Sequence, residues 1–125
     1  MKNISPEQVI IIHDEAIKKY GGESGLRDRN LLESAVYSPY QTFDGVDLFP
    51  SICEKAARLS FGLIKNHPFL DGNKRVAAGA MLTLLIINNT AFSITNDELE
   101  EVILSLAAGV MEYHEFVVWL NNHVE

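Results

Sequence analysis

Apolar positions recur along most of this chain at intervals of three and four, the spacing that places side chains on one face of an α-helix. Val9, Ile10, Ile12, Ala16, Ile17 and Tyr20 form the first such series. Ser5, Pro6 and Gln8 have the arrangement of a capping box with proline at the first helical position, and Gly21-Gly22 is a natural stop. A second helix is predicted from an Asp28 cap to about Ser38, where Pro39 ends it. In Tyr40–Asp47, Asp44-Gly45 between apolar residues favours a tight turn, hence a small hairpin or flap. Ile52, Ala56, Leu59, Ser60, Leu63 and Ile64 predict a third helix beginning near Pro50 and stopping around His67-Pro68.

A fourth helix is predicted to begin within Gly72–Arg75 and run to about Asn88. It is apolar almost all round, the pattern of the central helix of a bundle. Ala91–Ile94 reads as a short strand. Thr95 with Glu98 opens a fifth helix to about Ala108, and a last helix covers Tyr113 to Asn122. The expected fold is all-α: a compact single-domain bundle of six helices over residues 1–125, with one small flap hairpin.

Composition narrows this picture. Hydrophobic residues make up 47% of the 125, enough for one core, and the lone Cys53 excludes an internal disulfide. The N-terminal residues lack the apolar region of a signal peptide. The longest apolar run, Val76 to Ile87, spans twelve residues, whereas a membrane crossing needs about 20. A soluble cytoplasmic protein, with no membrane association, is the expectation.

The net charge of -7 is unevenly spread. Residues 76–125 hold seven acidic side chains and no lysine or arginine. Residues 54–75 hold Lys55, Arg58, Lys65, Lys74 and Arg75 against Glu54 and Asp71. An acidic surface argues against direct nucleic-acid binding, while a small basic island suits the phosphates of a single nucleotide.

That island ends on His67-Pro68-Phe69-Leu70-Asp71-Gly72-Asn73-Lys74-Arg75, the stretch that carries the candidate chemistry. A helix beginning here presents unpaired N–H groups and the positive end of its dipole, a setting that binds phosphate. Gly72 lets the backbone approach a ligand, and Asn73 offers an amide donor. Arg75 can grip phosphate oxygens bidentately, while Lys74 acts as a point charge. Asp71 suits a Mg²⁺ ion shared with phosphate oxygens, and it suits a helix cap equally well. His67 can accept a proton near neutral pH, although a lone histidine is more often structural. Phe69 reads as a core anchor.

Other candidates carry less. His13-Asp14-Glu15 reads as part of an exposed acidic face on the first helix. His114-Glu115 is followed by Val118 where a zinc-protease motif needs histidine. There is no phosphate-binding P-loop, and neither the H-R-D nor the D-F-G kinase motif. Asp71-x-Asn73 opens like a calcium loop, but Arg75 and Val76 stand where a ligand and a glycine are needed.

The nine-residue motif resembles the signature of the Fic/Doc family, H-x-F-x-[DE]-[AG]-N-[GK]-R, at every defining position. Ile4-Ser5-Pro6, His13-Asp14, Tyr20-Gly21-Gly22 and Asp47-Leu48-Phe49 extend the likeness to the Doc (death on curing) toxin branch. The resemblance implies a helical fold with the motif between two central helices, and transfer of part of a nucleotide to a protein hydroxyl. Carried over by position, His67 is the general base and Asp71 the Mg²⁺ ligand. The amides of Gly72, Asn73 and Lys74, with the Asn73 and Arg75 side chains, bind phosphate.

Lys74 stands where the larger AMP-transferring branch has glycine. Lysine fills space that would otherwise admit the α- and β-phosphates. In Doc-type proteins ATP is thought to bind in the reversed sense, which presents its γ-phosphoryl group. The resemblance thus implies a Mg-ATP-dependent protein kinase acting on elongation factor Tu, blocking translation. AMP transfer and a non-catalytic anion-binding module are the alternatives. It also implies inhibition by a separate antitoxin of the Phd type, since the family's internal inhibitory pattern [ST]-x-x-x-E-[GN] does not occur. Phe43, Asp44, Gly45 and Val46 would form a flap aligning a target peptide by strand addition, or else an ordinary connecting hairpin.

Overall fold

The computed structural model describes residues 1–125, and capping accounts for most of its helix boundaries. Helix α1 (Pro6–Tyr20) opens with the Ser5–Gln8 capping box and ends at Gly21. Asp28 caps α2 (Arg29–Tyr37), which runs into a 3-10 turn, Ser38–Tyr40. Ser51 caps α3 (Ile52–Asn66), and α4 spans Asn73–Ile87. The Thr95–Glu98 box opens α5 (Asn96–Ala107), and α6 is Tyr113–Asn121. Each satisfied cap pairs an N–H that helix geometry otherwise leaves free.

The fold is all-α with one small flap. Strands β1 (Thr42–Phe43) and β2 (Val46–Asp47) pair antiparallel, Thr42 with Asp47 and Phe43 with Val46. Asp44 and Gly45 form the connecting turn with φ of 52° and 78°, the left-handed pair such a turn requires. The flap base is tethered by the buried Lys55. Its ammonium donates to the Pro39 and Phe49 carbonyls at 3.1 and 2.6 Å and lies 3.6 Å from Asp47.

One cluster of 22 buried apolar residues draws on every α-helix. The expected central helix is α4, but α3 holds that place. It packs against α2, the 3-10 turn, α4, α5 and α6, whereas α4 meets α1, α3 and α5. Small residues explain the exchange: Ala56, Ala57, Ser60 and Gly62 are all buried on α3 and let neighbours approach on several sides. The apolar α4 leaves Ile86 60% exposed.

The expected strand at Ala91–Ile94 is also corrected. Only a single bridge forms, between Phe92 and Val124. Two backbone hydrogen bonds flank it, Ser93 N–H to His123 C=O and Glu125 N–H to Ala91 C=O. No helix is long and apolar enough to cross a membrane.

Candidate active site

The loop between α3 and α4 is built by two left-handed residues. His67 ends α3 at φ 50° and ψ 55°, and Gly72 starts α4 at φ 75° and ψ 19°. A histidine in that region costs about 1–2 kcal/mol, so surrounding contacts must hold it there. The segment after α1 supplies them. The N–H groups of Arg27 and Asp28 donate to the Pro68 carbonyl at 2.7 and 3.0 Å, and Leu70 N–H donates to Gly25 at 3.0 Å. The Arg27 guanidinium donates to the His67 and Asn66 carbonyls at 2.7 and 2.9 Å, occupying acceptors that the end of α3 leaves open.

Within the loop, Phe69 is 1% exposed and anchors the core as expected. The Asn73 side chain, expected to donate to phosphate, is turned inward. Its Oδ1 accepts from Phe69 N–H and its Nδ2 donates to Phe69 C=O, both at 3.0 Å. What Asn73 offers outward is its backbone N–H.

Asp71 does not cap α4; that position belongs to Gly72. Its carboxylate accepts instead from Glu23 N–H at 3.1 Å and from Gly72 N–H at 2.8 Å. The Glu23 N–H first, and then that of Gly72, hold its acidity below the usual carboxylate range, with smaller help from nearby His13 and His67. Asp71 is therefore ionised at neutral pH and solvent-exposed. Gly22 makes room for it, since a Cβ there would stand 2.8 Å from Oδ2.

The N–H groups of Asn73, Lys74 and Arg75 have no acceptor in the protein; the first pairing along α4 is Val76 N–H to Gly72 C=O at 3.0 Å. Lys74 is exposed and makes no ion pair. Arg75 lies over the Tyr20 ring, its guanidinium carbon 4.0 Å from the centroid. That contact leaves the guanidinium edge open to an anion. The His67 ring is exposed and makes no side-chain hydrogen bond, free to meet an incoming group. His67, Asp71, Lys74 and Arg75 are all exposed, so the loop presents charged side chains and amide donors to solvent.

A phosphate group fits the three free amides at the start of α4. One ionised carboxylate, each oxygen taking a single N–H, suits a Mg²⁺ ion that draws its remaining ligands from phosphate and water. No group of three or more His, Cys, Asp or Glu side chains converges anywhere. Asp71 alone is a thin site for a free ion, so a metal would have to arrive with its phosphates.

Residues 3–85 match the model of the Fic/DOC family. The chain belongs to the Fic/DOC family. Among its relatives, the protein kinase doc of Escherichia phage P1 is 30% identical over 87% of this chain and 85% of that protein. The Toxin Doc of Mycolicibacterium smegmatis is 48% identical over 55% of this chain, a stretch that spans 53% of the relative.

The flap residues Phe43 and Val46 are 75% and 67% exposed, and Leu48 beside them is 48% exposed. Three contributors escaped the sequence reading. Arg27 and Gly22 lie in the connection after α1, where Gly21, Gly22 and Gly25 hint at a backbone that must pass close to something. The third is His13. Expected on an exposed acidic face, it is 1% exposed, while Asp14 and Glu15 beside it do face solvent. Its ring stacks on Phe69 at 3.9 Å and 7°.

Proposed function

We propose that this protein is a toxin-type phosphotransferase that uses Mg-ATP to phosphorylate a hydroxyl of a protein, with elongation factor Tu as the target. The observation that carries the reading is the row of unpaired N–H groups on Asn73, Lys74 and Arg75, flanked by the unpaired Lys74 ammonium and the Arg75 guanidinium stacked on Tyr20. Such a row suits the equatorial oxygens of a phosphoryl group in transfer, where charge stabilisation and positioning do most of the catalysis.

In this reading His67 accepts the proton of the attacking hydroxyl. A bond forms from that oxygen to the γ-phosphorus, the bond to the β-bridging oxygen breaks, and ADP leaves. Asp71 would hold Mg²⁺, which would supply charge neutralisation to the nucleotide's phosphates. Lys74 occupies the space that glycine leaves open in AMP-transferring members, which favours presentation of the γ-phosphoryl group. The flap would align the target segment along β1 or β2, and an antitoxin of the Phd type would inhibit in trans. Support for the toxin role comes from the likeness to a protein named Toxin Doc, and for the kinase role from one named protein kinase doc.

The test is incubation of the purified protein with Mg-ATP and elongation factor Tu, followed by intact-mass measurement of the factor. One added phosphate is expected, and His67→Ala should lower the rate by roughly 100-fold or more. Addition of AMP, or an unmodified factor with active enzyme, would overturn the assignment.

A further inference from the structure

Helix α1 presents His13, Ile17 and Tyr20 at successive spacings of four and three, so the three side chains share one face. Each meets the motif. His13 Nε2 lies 2.7 Å from the Asp71 carbonyl oxygen. Ile17 Cδ1 would stand 3.3 Å from a Cβ on Gly72, and the Tyr20 ring underlies Arg75. A carbonyl only accepts, so Nε2 carries the proton and His13 donates. Its other nitrogen is 3.9 Å from Asp14, beyond hydrogen-bond reach.

The bond matters because of where that carbonyl would otherwise go. In a continuous helix the N–H of residue i pairs with the carbonyl of residue i−4. The natural acceptor of the Arg75 N–H is therefore the Asp71 carbonyl, and that of the Asn73 N–H is the Phe69 carbonyl. Both are diverted by side chains: Asp71 C=O by His13, Phe69 C=O by Asn73 Nδ2. The left-handed Gly72 turns the chain so that this diversion is possible.

We infer that His13 is a positioning residue of the anion site: by holding the Asp71 carbonyl turned toward α1 it keeps the Arg75 N–H unpaired and available to phosphate. The inference rests on the proposed nucleotide site but not on any transfer reaction. Loss of the donor frees the Asp71 carbonyl to pair with Arg75, extending α4 by a residue or more and closing part of the phosphate cradle.

His13→Phe keeps a ring against Phe69 and removes the donor. His13→Gln keeps an N–H donor near the same point and removes the ring. Amide hydrogen exchange at Arg75, thermal unfolding and calorimetric binding of Mg-ATP are measured for all three proteins. The expected result is fast Arg75 exchange in the wild type and in His13→Gln. In His13→Phe that amide should be protected at least ~10-fold, with Mg-ATP affinity lower by a similar factor. In the wild type alone, nitrogen chemical shifts should show His13 protonated at Nε2, a readout that needs no variant to fold. A wild-type Arg75 amide already protected without ligand, a proton on Nδ1, or His13→Phe indistinguishable from wild type in exchange would overturn the inference. Should the wild type bind Mg-ATP yet modify no protein, the phosphotransfer reading fails while the exchange data still decide the role of His13.

Discussion

Side chains at this site do two kinds of work, and the structure separates them. His67, Asp71, Lys74 and Arg75 are exposed and face outward; Asn73, Phe69 and His13 are buried and shape the backbone. Asn73→Ala should therefore cost stability before anything else. It strands the Phe69 N–H and C=O, at roughly 1–3 kcal/mol for each buried group left unpaired, a loss readable by urea unfolding. Asp71→Asn should lower stability modestly, because an amide keeps an acceptor for only one of the Glu23 and Gly72 N–H groups, and weaken Mg-ATP binding at least ~10-fold by calorimetry. Equal affinity in the variant would remove the metal role. The motif residues were legible because their types are constrained together. His13 was not: its burial depends on the Phe69 ring and on the Asp71 carbonyl, the latter 58 positions further along the chain.

At the scale of elements, boundaries followed from local chemistry that the sequence displays. Ser5, Asp28, Ser51 and Thr95 all cap the helices they precede. Thr95→Ala should destabilise the protein by about 1 kcal/mol, measured as a lower urea midpoint with unchanged slope. Residues 91–94 misled because alternation alone does not say whether a partner strand of adequate length exists. The C-terminus is held instead by Ser93 N–H to His123 C=O, Glu125 N–H to Ala91 C=O, and the His123 ring. Its Nδ1 meets the Trp119 carbonyl at 2.7 Å and its Nε2 the Glu98 carboxylate at 3.0 Å. The Trp119 carbonyl first, and then Glu98, raise its pKa above 6.5. A raised pKa makes folding tighter below the unfolded value, and that benefit fades as pH rises through the folded one. Relative to α3 amides, exchange of the Ser93 and Glu125 amides should accelerate as pH rises through the raised His123 pKa, and Glu98→Gln should lower that pKa. A pH-independent exchange ratio against α3 amides would contradict this.

Across the whole molecule, the basic residues of 54–75 divide between two places. The net charge is -7; Lys74 and Arg75 stand at the start of α4, where three N–H groups remain unpaired, while Lys55 holds the flap base and Arg58 donates to Ser38. Six helices around one core bring α1 and the 22–28 connection against the α3–α4 loop, so residues far apart in sequence jointly hold a strained His67. The bundle was readable from helical spacing. The hub position of α3 was not, since apolar content ranks α4 above it and only packing shows which helix has neighbours on most sides. With a single carboxylate at hand, the metal should depend on the nucleotide: chelation with EDTA should weaken ATP binding in calorimetry, the amides and cations still holding phosphate, and Mg²⁺ alone should give no measurable heat.

The most direct test of the account is transfer from ATP labelled separately at the α- and γ-phosphorus to elongation factor Tu. Label from the γ-position only, lost with His67→Ala, is the predicted result. Label from the α-position, or γ-transfer undiminished in His67→Ala, would contradict it.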